Sequence, residues 1–146
     1  MTAVADILKS KVDATVHGIG PEDSVLSALQ RMADKNIGAL LVMEGEAIVG
    51  IVTERDYARK IALKGRTSAL TLVREVMTTS VLFVHPTQTS EECMALMTEN
   101  HLRHLPVVQN DRLVGLISIG DLVKDIISAQ KFVIEQLEQY ISGQRQ

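Results

Sequence analysis

Beyond Ser24 the apolar residues Val25, Leu29 and Met32 fall at i, i+4 and i+7, one stripe of a helix that the serine is suited to cap. Two short apolar runs follow, Ala39 to Met43 and Ile48 to Val52, the second interrupted only by Gly50. Apolar on both faces, they predict strands buried from both sides. Between them Glu44-Gly45-Glu46 supplies a residue that takes positive φ readily, as a tight hairpin requires. Thr53 then ends a strand and begins a second helix. The order is strand, helix, strand, strand, helix.

The same order occurs twice. Pro21 and Pro86, Met32 and Met97, Gly50 and Gly115, and Asp56 and Asp121 each stand 65 residues apart, with no gap needed between them. In this register Ser24 faces Thr89, Leu40 faces Leu105, Val42 faces Val107, Thr53 faces Ser118, and Gln109-Asn110-Asp111 takes the place of the first hairpin. Polar and apolar classes are kept together, which marks an internal repeat. Upstream of Pro21 the offset changes: Asp6-Ile7-Leu8 matches Glu75-Val76-Met77 at 69, so the first copy carries four extra residues there. The expected organisation is a first repeat over 4–63, a polar connector over 64–71 containing Gly65 and Ser68, a second repeat over 72–130, and a tail over 131–146. In the tail Val133, Leu137 and Tyr140 recur at three or four residues, an amphipathic helical pattern without a counterpart in the first copy.

Composition narrows the function. Hydrophobic residues make up 46% of the chain and aromatics only 3%, so the core is aliphatic. A net charge of -3 with both signs interspersed leaves no basic footprint for nucleic acid. No apolar run approaches the roughly 18 residues of a membrane span, and the N-terminus lacks the pattern of a signal peptide, so no membrane partner and a cytoplasmic location are expected. The single Cys93, beside Met94, Leu96 and Met97, reads as a small apolar packing residue. His101 and His104 straddle a loop-to-strand junction without a carboxylate or thiol cluster, so no metal is expected; ordinary surface or cleft roles suffice for His17 and His85.

Gly50-Ile51-Val52-Thr53-Glu54-Arg55-Asp56, its counterpart Gly115-Leu116-Ile117-Ser118-Ile119-Gly120-Asp121, and Arg103-His104-Leu105-Pro106-Val107-Val108 together resemble the CBS domain family. The resemblance runs from about Val4 to Ile127. It implies an α/β (α+β) tandem CBS-domain pair: two β-α-β-β-α repeats related by a pseudo-two-fold axis, with clefts between them for an adenine nucleotide. AMP is the first expectation, with ATP or NAD(H) as alternatives. It also implies a non-catalytic regulatory module, a homodimer, and an unidentified protein that it regulates.

Each candidate site residue carries two readings. Thr53 with Asp56, and Ser118 with Asp121, match a capping box, in which hydroxyl and acid satisfy the orphan amides of a helix start. A carboxylate held there can also accept both hydroxyls of a ribose. Arg103, with its neighbour His104, is either a solvated arginine at a strand edge or a guanidinium that forks onto a phosphate, the role the resemblance implies. Arg55 in the first helix turn has the same two readings. Gly38-Ala39-Leu40-Leu41 departs from Arg103-His104-Leu105-Pro106, so the two clefts should differ. By the resemblance, Ile19, Ile37 and Gly38 line an adenine slot facing Ser118 and Asp121. Val81, Leu82 and Leu102 line the other, facing Thr53 and Asp56, with Thr78 at a rim. The apolar members read equally well as plain core.

Two rivals remain open. Gly45 and Gly50, like Gly115 and Gly120, imitate the glycine spacing of a phosphate-binding loop, but Ile51-Val52 and Asp121-Leu122 follow where Lys-Ser/Thr would be needed, so a nucleotide-hydrolysing enzyme is not expected. A structural dimerisation module with empty clefts keeps the repeat and treats the two aspartates as helix caps alone.

Overall fold

The computed structural model describes residues 2–11 and 15–144, which excludes part of the first repeat and the end of the expected tail. The described residues form two compact units, one of residues 15–82 and the other of residues 2–11 with 83–144.

In the first unit β1 (Gly18–Ile19) is followed by α2 (Val25–Lys35), β2 (Ala39–Glu44), β3 (Ala47–Thr53) and α3 (Glu54–Lys60); α1 (Val4–Ser10) precedes them in the chain but belongs to the other unit. Ser24 caps α2 as its position predicts, its hydroxyl accepting from the Ser27 N–H at 3.1 Å. β1 runs parallel to β2 and β2 antiparallel to β3, with Ala39 opposite Thr53. The core of this unit gathers Ile19, Val25, Ala28, Met32, Leu40, Val42, Val52 and Ile61 under the sheet.

The second unit repeats the plan with α4 (Ser90–Asn100), β4 (His104–Gln109), β5 (Arg112–Ser118) and α5 (Ile119–Gln144). Thr89 caps α4 by accepting from the Glu92 N–H at 3.2 Å, and His101 closes it in the left-handed conformation, as Asn36 closes α2. Val84, Met97, Leu105, Val107, Ile117 and Leu122 form the core together with a fully buried Cys93, whose thiol burial pushes up in pKa, helped by the charge of Glu92.

Two expectations need correction. The opening strand of the second copy shrinks to one parallel bridge, Val84 to Val107. In the first copy the Leu41 N–H donates to the His17 carbonyl at 3.4 Å. Its repeat partner is Pro106, which has no N–H, so the corresponding rung cannot form. The hairpins also differ. Both have two-residue turns, but Asn110 and Asp111 both take positive φ, whereas in the first turn only Gly45 does. Asn and Asp tolerate that region; Glu46 is kept out of it by placing the glycine first.

The sequence repeat and the packed unit diverge at their lead-in segments. The start of the chain docks on the second copy: the Val4 N–H donates to the Gln88 carbonyl and the Ser90 N–H to the Thr2 carbonyl, both at 2.8 Å. Residues 71–77 dock on the first copy in the same way, through Val73 to Asp23 and Val25 to Thr71, again at 2.8 Å. These pairs obey the offsets of 65 and 69. Leu8 lies over Gly115 as Met77 lies over Gly50, so each glycine opens the space for its lead-in side chain.

α5 is one unbroken helix of 26 residues, about 39 Å long, that passes through the expected boundary at 130. Its first turns pack by Leu122, but residues 127–143 are exposed throughout.

Candidate functional site

Each unit places a hydroxyl and a carboxylate where a strand turns into a helix. Thr53 ends β3, and its hydroxyl accepts from the Asp56 N–H at 3.2 Å while Asp56 Oδ2 accepts from the Thr53 N–H at 2.9 Å. Ser118 and Asp121 repeat this at 3.1 Å and 2.9 Å. The capping reading is therefore satisfied in both copies. The carboxylates are nonetheless not sealed in, at 13% and 15% exposure, and both lie at a helix N-terminus, where backbone dipoles favour negative charge.

Strand pairing brings further candidates to the same ends of the sheets. The Gly38 carbonyl accepts from the Glu54 N–H at 3.1 Å, and the Arg103 carbonyl from the Ile119 N–H at 2.8 Å. Gly38 thus adjoins Thr53 and Asp56, and Arg103 adjoins Ser118 and Asp121. His104 stands opposite Ser118 across the β4–β5 ladder. Burial lowers the His104 pKa from its ordinary value, the Lys11 and Arg103 charges add to that, and only the Asp121 carboxylate opposes them. A lowered pKa favours the neutral ring, which offers one donor and one acceptor. Thr78 joins the first unit by exchanging backbone hydrogen bonds with Ile51 at 2.9 and 3.0 Å, two residues before Thr53.

The remaining candidates lie as follows. Ile19 is buried in the core of the first unit and Ile37 packs against it, while Leu102 packs against the second core. Val81 is half-buried and Leu82 more exposed; Arg55 and Arg103 present exposed side chains. Among the described residues no three of His, Cys, Asp and Glu gather to hold a metal ion, and no helix is long and apolar enough to cross a membrane.

Two lysines escaped the sequence reading. Lys60 Nζ lies 3.2 Å from Asp56 Oδ1 and donates to the Val76 carbonyl at 2.7 Å. Lys11 Nζ lies 3.0 Å from Asp121 Oδ2 and donates to the Leu116 carbonyl at 2.8 Å. The first pair was legible as an i, i+4 acid–base pair on a helix. Nothing local foretells the second.

The CBS domain family model matches residues 4–63 and 73–128. The mitochondrial CBS domain-containing protein CBSX3 of Arabidopsis thaliana is 37% identical over 150 residues, which cover 97% of this chain and 73% of that one. A solved CBS-domain protein from Burkholderia ambifaria superposes with a TM-score of 0.86 at 55% identity, covering 88% of this chain and 96% of that one. The structure of CBSX2 in complex with AMP matches with a TM-score of 0.73 at 25% identity, covering 89% and 99%.

Proposed function

Since the chain belongs to the CBS-domain family, with both of its repeats matched, we propose that it is a non-catalytic regulatory pair that binds an adenine nucleotide, AMP ahead of ATP or NAD(H). The observation that carries this reading is the repeated carboxylate, Asp56 and Asp121, held by its own hydroxyl–amide cap at a helix start without being sealed from solvent. A ribose diol is the group such an acceptor suits. Arg103 supplies a cation for phosphate beside the second carboxylate, where the first copy has Gly38, and neutral His104 supplies a polar edge. The AMP complex of CBSX2 supports the choice of nucleotide. Ile19, Ile37, Gly38, Thr78, Val81, Leu82 and Leu102 are the positions proposed to frame the base.

A ligand acts as a regulator by binding one arrangement of the protein better than another. Calorimetric titration of nucleotide-stripped protein with AMP, ADP, ATP, NAD and NADH tests the reading. Binding of at least one at micromolar concentration is expected, and binding of none overturns it.

The protein also acts as a homodimer in this reading. Residues 127–143 of α5 are exposed along their length, and Ile127, Ile134, Leu137 and Ile141 recur along one side at the seven-, three- and four-residue spacing of a helix–helix seam. Most helical stability in proteins comes from packing an apolar face, and a second copy offers the same stripe for a two-fold contact.

A further inference from the structure

The two aspartates share a cap but not a counter-ion, and the difference falls on the oxygens that a sugar would use. At Asp56 both oxygens are engaged: Oδ2 accepts from the Thr53 N–H at 2.9 Å and its hydroxyl at 3.2 Å, and Oδ1 faces Lys60 Nζ at 3.2 Å. Lys60 is fixed at a second point by the Val76 carbonyl. At Asp121 the load is on one side: Oδ2 takes both the Ser118 N–H at 2.9 Å and Lys11 Nζ at 3.0 Å. Oδ1 carries none of the hydrogen bonds or ion pairs found among the described residues.

The repeat explains how the difference arose. The position equivalent to Lys60 is Asp125, an acid four residues beyond Asp121 on the same helix. An i, i+4 pair of like charges is unfavourable, so the second copy needs a cation from elsewhere, and Lys11 provides it from the segment after α1. Arriving off the helix, Lys11 reaches Oδ2, the oxygen that the Ser118 N–H already uses.

Resting on the ribose reading above, we propose that Lys60 is a specificity-determining residue that occludes the sugar-facing oxygen of Asp56, so that Asp121 takes a nucleotide's vicinal diol in preference to Asp56. The sugar hydroxyls reach Asp121 Oδ1 without disturbing Lys11, whereas at Asp56 they must displace an ammonium held at two points. The two sites fill in order, and the identity of the residue four positions after each aspartate sets that order.

The test is AMP calorimetry in two backgrounds, Asp121→Asn to isolate the Asp56 site and Asp56→Asn to isolate the Asp121 site. In the first, Lys60→Met is expected to tighten AMP about two- to fivefold, the scale of a partly exposed ion pair, and Lys60→Arg, which keeps the charge, is expected to leave it weak. If Asp121→Asn alone binds no measurable AMP, recovery of binding on adding Lys60→Met supports the proposal and continued absence overturns it. In the second background, Asp125→Lys installs the missing occluder and is expected to weaken AMP by a similar factor; unchanged affinity overturns the proposal. Melting temperatures of all variants check that each stays folded. If the unaltered protein binds no AMP, the ribose reading itself falls. If it binds AMP but Lys60 and Asp125 leave both affinities unmoved, only the occlusion falls.

Discussion

Met77 rests directly on Gly50: a Cβ built on the glycine stands 2.7 Å from Met77 Sδ and 3.0 Å from the Thr78 carbonyl oxygen. The equivalent Cβ on Gly115 stands 2.6 Å from Leu8 Cδ2, and its three nearest atoms all belong to that side chain. A leucine tip can turn aside, but a carbonyl in a backbone bridge cannot. Gly50→Ala is therefore expected to destabilise its unit by about 1–3 kcal/mol, and Gly115→Ala by less, measured as the shift in urea midpoint at constant slope. Met77→Ala should rescue Gly50→Ala only in part, because the Thr78 oxygen stays. Full rescue would place the whole clash in the methionine.

The carboxylates separate cap from ligand contact. If Asp121 receives a ribose through charge-assisted hydrogen bonds, Asp121→Ala is expected to weaken nucleotide binding by about 1.5–3 kcal/mol, roughly 10- to 150-fold. Loss of the cap alone lowers folding stability by about 0.5–2 kcal/mol and does not act directly on affinity. Calorimetry and ligand-free melting on Asp56→Ala, Asp121→Ala and the double variant read the two effects separately. The single variants should differ in affinity, since Arg103 and Lys11 serve only one of the sites. Variants that melt lower but bind nucleotides as the parent does would make both residues caps and nothing more.

The exposed end of α5 is where dimerisation should fail first. Ile134→Asp with Leu137→Asp places two charges on the apolar stripe of an exposed segment, so folding should be little affected. Light scattering at about micromolar concentration is expected to give a dimer for the parent and a monomer for the double variant. A parent that is monomeric with and without nucleotide would remove the homodimer from the proposed function.

His104 should make stability depend on pH. Its folded pKa is lowered below the ordinary 6.5 by burial first and by Lys11 and Arg103 second, against the pull of Asp121. In the window between the folded value and 6.5 the unfolded chain holds more protons, so stability rises with pH there. The contribution is complete above the unfolded value and is lost as pH falls from it toward the folded one. Urea unfolding at pH 7.5 and 5.5 is expected to show a larger acid loss for the parent than for His104→Asn. Equal losses would mean that the ring does not sense its burial.

Much of the site was legible because its parts are local. Thr53 and Asp56, like Ser118 and Asp121, are three residues apart, and their hydrogen bonds follow from any helix that starts there. Lys60 was open to the same reasoning, one turn beyond Asp56, but the charge pair reads as an ordinary solvated face until its second bond to Val76 is seen. The weakened opening strand of the second copy was implicit in Pro106, whose missing N–H matters only once a neighbouring strand is known to need it.

The sequence by itself determined the repeat, the caps, the positions of the two hairpins and the strand pair that each hairpin joins, because each depends on residues a few positions apart or on one constant offset. It did not determine which copy each lead-in segment completes. Residues 2–8 and 71–77 match each other at an offset of 69, and either could in principle serve either copy without changing a local pattern. Tertiary packing alone made the choice, by fitting Leu8 over Gly115 and Met77 over Gly50. The same choice brought Lys11 to Asp121 and to Leu116, 105 residues away in the chain. A contact at that separation leaves no periodicity to read. It exists because a cation on one segment meets a carboxylate on another only after both have been placed by their cores.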